Sequence, residues 1–424
     1  MTDNAKSPIL SKNVSSSIGL EPPLRFPGFE DKWNKEKISD SFDFLPINTL
    51  SRADLADDGE VANIHYGDIL TIIGNTLDIS NFKLPFVKNA GREMFKQETL
   101  KNGDLIFADT AEDYTVGKST EIYNMGSSYV VSGLHTIACR PKNTFACGFL
   151  GYYTNSPAYR TQLLPLMQGI KVYSISKTNL GSTYITYPTV VEQQKIADFL
   201  SLVDERIEKQ RQLVEVLKRY KRGLFSSVYL AKQADWERVC LGDFSKVSGG
   251  YAFDSKTYTE SGKYSVLTIG NVSGDRYVEI DGCNKVNHIP VDIQQYQILQ
   301  PNDLVISMTG NVGRVSIVNQ NDCLLNQRVA KLDIMDSIIR EYVYQVLSCS
   351  NFEQEMNNVG QGAAQKNIKN SDIEHFGFCV PKDKKELQTV VSMLLGIDNT
   401  ILKQEKILVN LAHSKQALLQ QMFI

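Results

Sequence analysis

From Ile196 the apolar positions fall at Ile196, Leu200, Val203, Ile207, Val214, Leu217 and Leu224. From Val390 they fall at Val390, Leu394, Ile397, Ile401, Leu408, Leu411 and Leu418. This alternating four-three spacing is the seam of a coiled coil and predicts two long helices. Gln210 and Lys221 interrupt the first series, and Gln404 and Lys415 interrupt the second at matching places. Pro188 and Pro381 precede the two runs, with Glu192 and Glu386 in the first turns. Lys218, Arg219, Lys221 and Arg222 crowd the first run's end, charges that match a helix dipole. As one helix, Glu192 to Val228 makes a rod of about 55 Å. Ahead of each run lie short β-type stretches, Asp104–Ala108, Tyr129–Ala138, Asp303–Met308 and Val315–Val318, punctuated by Gly, Asn and Asp.

The two halves repeat one another. Trp33 and Ile38-Ser39-Asp40 return as Trp236 and Leu241-Gly242-Asp243, and Tyr66-Gly67-Asp68-Ile69 returns as Ile269-Gly270-Asn271-Val272. Gly103-Asp104-Leu105-Ile106 returns as Asn302-Asp303-Leu304-Val305, and Val116-Gly117-Lys118 as Val312-Gly313-Arg314. Gln168-Gly169, Ile175, Leu180 and Pro188 return in identical spacing as Gln361-Gly362, Ile368, Ile373 and Pro381. So many matches in one order mean a duplication. The second globular part starts just after the first helix and leads straight into the second, so the helices are expected to run antiparallel with one globular domain at each end, a dumbbell of approximate two-fold symmetry. The predicted fold class is α+β: two β-containing domains joined by two long antiparallel coiled-coil helices. The expected parse is a flexible tail over 1–20, domains over 21–190 and 230–382, and helices over 191–229 and 383–424. The seam midpoint falls at Gln210, so a dyad-related pair would bring Gln210 to Gln404, where two amides satisfy each other and fix register. The alternative is that both glutamines are solvated at the seam's margin.

Composition narrows the class. With 42% hydrophobic and 22% charged residues in 424, the chain reads as folded domains rather than a disordered or low-complexity protein. No apolar stretch approaches the ~18 residues of a membrane helix, and the first residues lack the apolar segment of a leader peptide. Seven scattered Cys without a Cys-x-x-Cys pair read as reduced thiols in a cytoplasm, not a disulfide framework or zinc ribbon. A net charge of −3 means that any nucleic-acid binding must use local basic patches or a partner's help.

Catalytic motifs fail one after another. Gly117-Lys118-Ser119-Thr120 resembles the tail of a phosphate-binding loop, but Glu112 stands where that loop needs Gly, and Ser119–Tyr123 reads as extended. Asn155-Ser156-Pro157-Ala158-Tyr159 resembles an adenine-N6 methyltransferase element, yet a helix start with Pro in its first turn explains it as well. His375 and Cys379 are a lone pair without the further ligands a metal requires, so no metal site and no catalytic residue is assigned. The paired turns ending in Lys118 and Arg314 are different, because each follows a threonine, Thr110 or Thr309, with Asn311 beside the second. A cation and a hydroxyl at a Gly-opened turn suit phosphate and base-edge contacts; an ordinary tight hairpin with an exposed cation would look the same. His135 and Arg328 also correspond, and Arg92, Lys96, Arg276 and Gln327 complete the candidate DNA contacts.

Taken together, the duplication, the paired β-rich domains and the two helices make the chain similar to the specificity subunit of a type I DNA restriction-modification enzyme. The opening Leu24-Arg25-Phe26-Pro27-Gly28-Phe29 running to Trp33 and the helix starts Pro188…Glu192-Gln193-Gln194-Lys195-Ile196 and Pro381…Glu386-Leu387-Gln388 resemble that family over about residues 21–424. The resemblance implies a non-catalytic, cytoplasmic subunit whose two target-recognition domains each read half of a bipartite site on double-stranded DNA, with helices as spacer and docking platform. It implies as partners two methylation subunits that bind S-adenosylmethionine and two motor-nuclease subunits that use ATP and Mg, with no cofactor in this chain and no membrane. A stand-alone DNA methyltransferase and a coiled-coil scaffold whose ends bind proteins are the alternatives.

Overall fold

The computed structural model describes residues 21–95, 99–232, 234–349, 351–360 and 366–424. The tail expected over 1–20, Lys96 and the Gln361-Gly362 pair lie outside them. The chain forms two compact units, Met1–Lys209 with Leu408–Ile424, and Gln210–Ile407. The long helices span Val190–Lys232 and Lys384–Gln421, so each unit takes part of both.

The first unit is built on a five-stranded sheet in the order Phe42–Phe44, Thr136–Pro141, Leu105–Ala108, Ser119–Tyr123, Thr76–Asp78. Strand alternation assigns each residue of the central strand a side: Leu105 and Phe107 enter one apolar cluster, Ile106 and Ala108 the other. The first cluster takes in Trp33, Phe149 and Tyr153 with Ile196 and Leu200 of the first helix and Leu419, Met422 and Phe423 at the second helix's end. A second, four-stranded sheet contains a parallel pair, Tyr129–Ser132 beside Val61–Ile64. Arg25 grips Glu192 with two bonds of 2.7 and 2.8 Å, and the Leu24 amide donates to the Gln421 carbonyl at 2.9 Å, which seats the opening segment on both helices.

The second unit repeats the plan. Its central sheet runs Lys246–Gly249, Val329–Asp333, Leu304–Ser307, Val315–Ile317, and Leu304 and Ile306 enter one cluster while Val305 enters another. Its second sheet has the equivalent parallel pair, Tyr264–Leu267 beside Cys323–Leu325. The main core takes in Trp236 and Tyr342 with Phe225 of the first helix and Leu387, Val390 and Leu394 of the second. In both units an antiparallel strand pair closes the base, Asn34–Lys37 with Tyr184–Tyr187 and Glu237–Cys240 with Gly377–Val380.

Within the second unit the helix segments run antiparallel. Gln210 faces Gln404, Lys221 pairs with Asp398 at 2.7 Å, and Lys232 lies 3.8 Å from Glu386. Gln210 donates from Nε2 to Oε1 of Gln404 at 2.8 Å and to its carbonyl at 3.0 Å. Ile196, Leu200, Gln210, Val214, Val390, Leu394 and Ile401 are buried, and Val203, Ile207, Leu217, Ile397, Gln404, Leu408 and Leu411 are half-buried. The two lysines that interrupt the seam are ion-paired: Lys221 with Asp398, and Lys415, in the first unit, with Asp204 at 2.5 Å. Ser119–Tyr123 is a strand, which leaves Gly117-Lys118 without the helix a phosphate loop needs, and Ser156 caps a helix beginning at Pro157.

Candidate nucleic-acid interface

The turn Val116-Gly117-Lys118 is shaped by packing. Val116 is fully buried, Gly117 has φ +77°, and a Cβ there would lie 2.9 Å from Leu163. In the second unit Val312 is fully buried, Gly313 has φ +82°, and a Cβ would meet Met356 at 2.9 Å and the Glu353 backbone at 3.1 Å. Only glycine combines that backbone with so close a helix. The cations that follow have acceptors inside the protein. Lys118 donates from Nζ to the Leu70 carbonyl at 3.1 Å, and burial, then the nearby Lys415, lowers its pKa. Arg314 donates from Nε to Glu353 at 3.3 Å.

A separate polar edge lies where the central strand ends. In the first unit the Asp109 amide donates to the His135 carbonyl at 3.0 Å, and the Ile175 amide donates to the Asp109 carbonyl at 2.8 Å. Equivalent bonds in the second unit join the Met308 amide to the Arg328 carbonyl at 2.9 Å and the Ile368 amide to the Met308 carbonyl at 3.1 Å. Equivalent backbone bonds therefore flank Thr110 and His135 in one unit and Thr309 and Arg328 in the other, although His135 has φ +56° and Arg328 lacks that left-handed backbone.

The side chains differ. Thr110 donates its hydroxyl to Asp109 Oδ1 at 2.7 Å, and His135 Nδ1 lies 3.3 Å from both that carboxylate oxygen and the Thr110 hydroxyl. The Tyr66 ring meets the His135 ring edge-on at 5.2 Å, and Tyr66 also packs on His65 at 4.6 Å. His65 is buried and accepts from the Gly67 amide; burial, then Arg52 and His135, lower its pKa against the opposing pull of Asp68. In the second unit Thr309 is buried and donates to Asn367, which also accepts from Arg328 at 3.5 Å. Tyr173–Ser174 pairs with Thr110–Ala111, and Tyr114 stacks on Tyr173 at 4.9 Å, so aromatic surface adjoins the first edge. Ile170 and Val172, exposed in the connecting loop, extend it.

Asn311, Gln327 and Arg328 are exposed, and exposed Arg92 lies over the Tyr129 ring at 5.8 Å. Arg276 requires a correction. It is 10% exposed and bound to Glu341 through two bonds of 2.8 and 2.7 Å and to Asp398 at 2.9 Å, so its guanidinium is committed to carboxylates of the second unit. Asp109, Tyr66 and Asn367 are the partners that sequence reasoning missed. Asp109 adjoins Thr110 and was open to inspection, whereas Asn367 reaches Thr309 through a bridge between strands distant in sequence. Among the described residues there is no group of three or more His, Cys, Asp or Glu arranged to hold a metal, and no helix is long and apolar enough to cross a membrane.

The family model for the type I restriction modification DNA specificity domain matches residues 30–219 and again 233–411. The chain belongs to that family. Each of the two matches contains one copy of the polar edge. Among curated relatives, a putative type I restriction enzyme MjaX specificity subunit of Methanocaldococcus jannaschii is 24% identical over 353 residues, spanning 78% of this chain and 80% of that protein. The EcoKI specificity subunit of Escherichia coli K12 is 22% identical over 289 residues, 62% of each chain. In fold, the S subunit of a type I system from M. genitalium superposes with a TM-score of 0.50 at 14% identity, covering 95% of this chain and 99% of that one. A chain from a structure describing assembly and conformational transition of the type I system gives 0.53 at 18% identity, with 95% and 99% covered. This chain is thus a specificity subunit of the type I restriction-modification class.

Proposed function

We propose that each unit reads one half of a bipartite site on double-stranded DNA through its polar edge, and that the chain carries no catalytic step itself. The observation that carries this reading is the duplicated frame that holds Thr110 and His135 in one unit and Thr309 and Arg328 in the other. One backbone with exchangeable side chains is what two different half-sites need, since base edges are told apart by donor and acceptor pattern. Asn311 and Gln327, close in sequence to Thr309 and Arg328, are further contacts, and Arg92, over the Tyr129 ring, is a separate contact of the first unit. The long helices serve as spacer and as the docking platform for two methylation subunits. Leu213, Val216 and Tyr220 support docking: they are 42, 48 and 57% exposed and fall on one helix face, an apolar stripe of the kind a partner helix covers. S-adenosylmethionine, ATP and Mg belong, on this reading, to the methylation and motor-nuclease subunits, and the complex works in the cytoplasm.

Mapping methylated bases in the host genome with and without this gene tests the reading. A split motif methylated only when the gene is present is the expected result. An unchanged methylation map from an otherwise active complex would refute it.

A further inference from the structure

We propose that His135 is a base reader that accepts a hydrogen bond from the exocyclic amino group of adenine or cytosine in the half-site facing the first unit. This rests on the DNA-reading role proposed above. Three features of the edge lead to it.

The first is a fixed tautomer. Thr110 spends its hydroxyl proton on Asp109 at 2.7 Å, so toward His135 the threonine oxygen can only accept. The Asp109 carboxylate also only accepts. Both lie 3.3 Å from His135 Nδ1, which therefore carries the proton and donates it to the Thr110 oxygen, with the Asp109 carboxylate beside it at ion-pair distance. In the neutral ring Nε2 is then a bare acceptor.

The second is presentation. His135 has φ +56°, a left-handed backbone that side chains other than glycine adopt only at a cost. Such strain is kept where a side chain must be aimed. Tyr66 packs against the ring at 5.2 Å, the side chain is 48% exposed, and Nε2 has no partner among the described residues. The acceptor is held in place and open to a ligand.

The third is the contrast with the second unit. At the equivalent position Arg328 offers donors only, anchored through one nitrogen to Asn367. In the major groove an acceptor meets the amino groups of adenine N6 or cytosine N4, while guanine and thymine oppose it with their own acceptors. Arginine has the reverse preference and pairs with guanine O6 and N7. The duplicated frame thus carries complementary reading polarities in its two copies.

The test is selection from a randomised double-stranded oligonucleotide library by the full chain co-produced with its methylation subunits. Wild type is expected to select a split motif. His135→Ala should lose discrimination by roughly 5- to 150-fold at one position of one half only, the value of a single good base contact. His135→Arg should turn that position from adenine or cytosine to guanine. Should the alanine chain fold poorly, His135→Asn keeps a residue that tolerates positive φ, and it should show the same loss at the same position. An unchanged motif in folded His135→Ala and His135→Arg chains overturns the inference while leaving DNA reading intact. A wild-type complex that selects no motif overturns the DNA-reading role itself, and this inference with it.

Discussion

Removal of Asp398 is the sharpest probe of how the second unit is held to its helix. The carboxylate is 4% exposed and accepts from Lys221 at 2.7 Å on one oxygen and from Arg276 at 2.9 Å and Gln345 at 2.7 Å on the other. Arg276 keeps its two bonds to Glu341 when Asp398 is lost, so its charge stays compensated. Lys221 does not. Its side chain is 8% exposed, and what remains is the Tyr344 ring 5.2 Å from its ammonium. Stripping one partner from a buried ion pair costs about 3–5 kcal/mol, because the other charge is left buried and unpaired. Asp398→Ala should therefore destabilise the second unit by about that amount. Lys221→Met with Asp398→Leu removes both charges and should come back to within about 1 kcal/mol of wild type or exceed it. Hydrogen exchange read peptide by peptide in rising denaturant separates the units, and the loss should appear in peptides from 210–407. A cost below about 1 kcal/mol for Asp398→Ala, or a double variant as weak as the single one, would refute the reasoning.

Four further outcomes are expected. Gln210→Leu strands the Gln404 amide and should cost about 1–3 kcal/mol in chemical denaturation, most of which Gln210→Leu with Gln404→Leu should recover. Glu121 is 1% exposed and accepts from the Gly148 and Gly151 amides, and burial, against those bonds, raises its pKa from 4.5 to about 7. The folded chain thus holds this proton more tightly than the unfolded one, a contribution fully present below pH 4.5 and lost as pH rises through 7. It amounts to at most about 3 kcal/mol, and wild type minus Glu121→Gln, followed by unfolding across that window, should show it. Arg328→Ala in the complex should relax base selection at one position of the half-site facing the second unit, at a cost of about 1–3 kcal/mol. Lys118→Ala should leave the salt slope of DNA binding unchanged, since its ammonium already serves the Leu70 carbonyl.

What was legible in the sequence was whatever repeats at short range or twice. The four-three spacing marked both helices, and the duplication marked the equivalence of Trp33 with Trp236 and of Lys118 with Arg314. The seam midpoint led to Gln210 beside Gln404, because symmetry supplies the long-range constraint that local pattern lacks. Lys221 and Lys415 showed only as breaks in an apolar series. Their partners Asp398 and Asp204 are ordinary acidic residues until the helices pack. Arg276, a candidate DNA contact in the sequence, gave no local sign of its ion pairs, because only tertiary contact brings Glu341 and Asp398 to it. The polar edge was half visible, in Thr110, His135, Thr309 and Arg328. The strand bridge that brings Asn367 to Thr309 joins residues far apart in sequence and has no local signature.

The aromatic rings around Phe423 bear on how the chain is made. Phe423 packs on Trp33, Phe149 and Tyr153 at 6.5, 5.8 and 5.7 Å, so the first unit's core contains residues from opposite ends of the sequence. The second unit is continuous in sequence. On a ribosome adding about 5–20 residues per second, the segment that forms most of the first unit waits roughly 10–40 s before Leu419, Met422 and Phe423 emerge to close it. The part synthesised later, complete by Ile407, can close first. Vectorial synthesis therefore lets the later segment complete its own core first, and it leaves Trp33, Phe149 and Tyr153 without the Phe423 ring until that residue has been made.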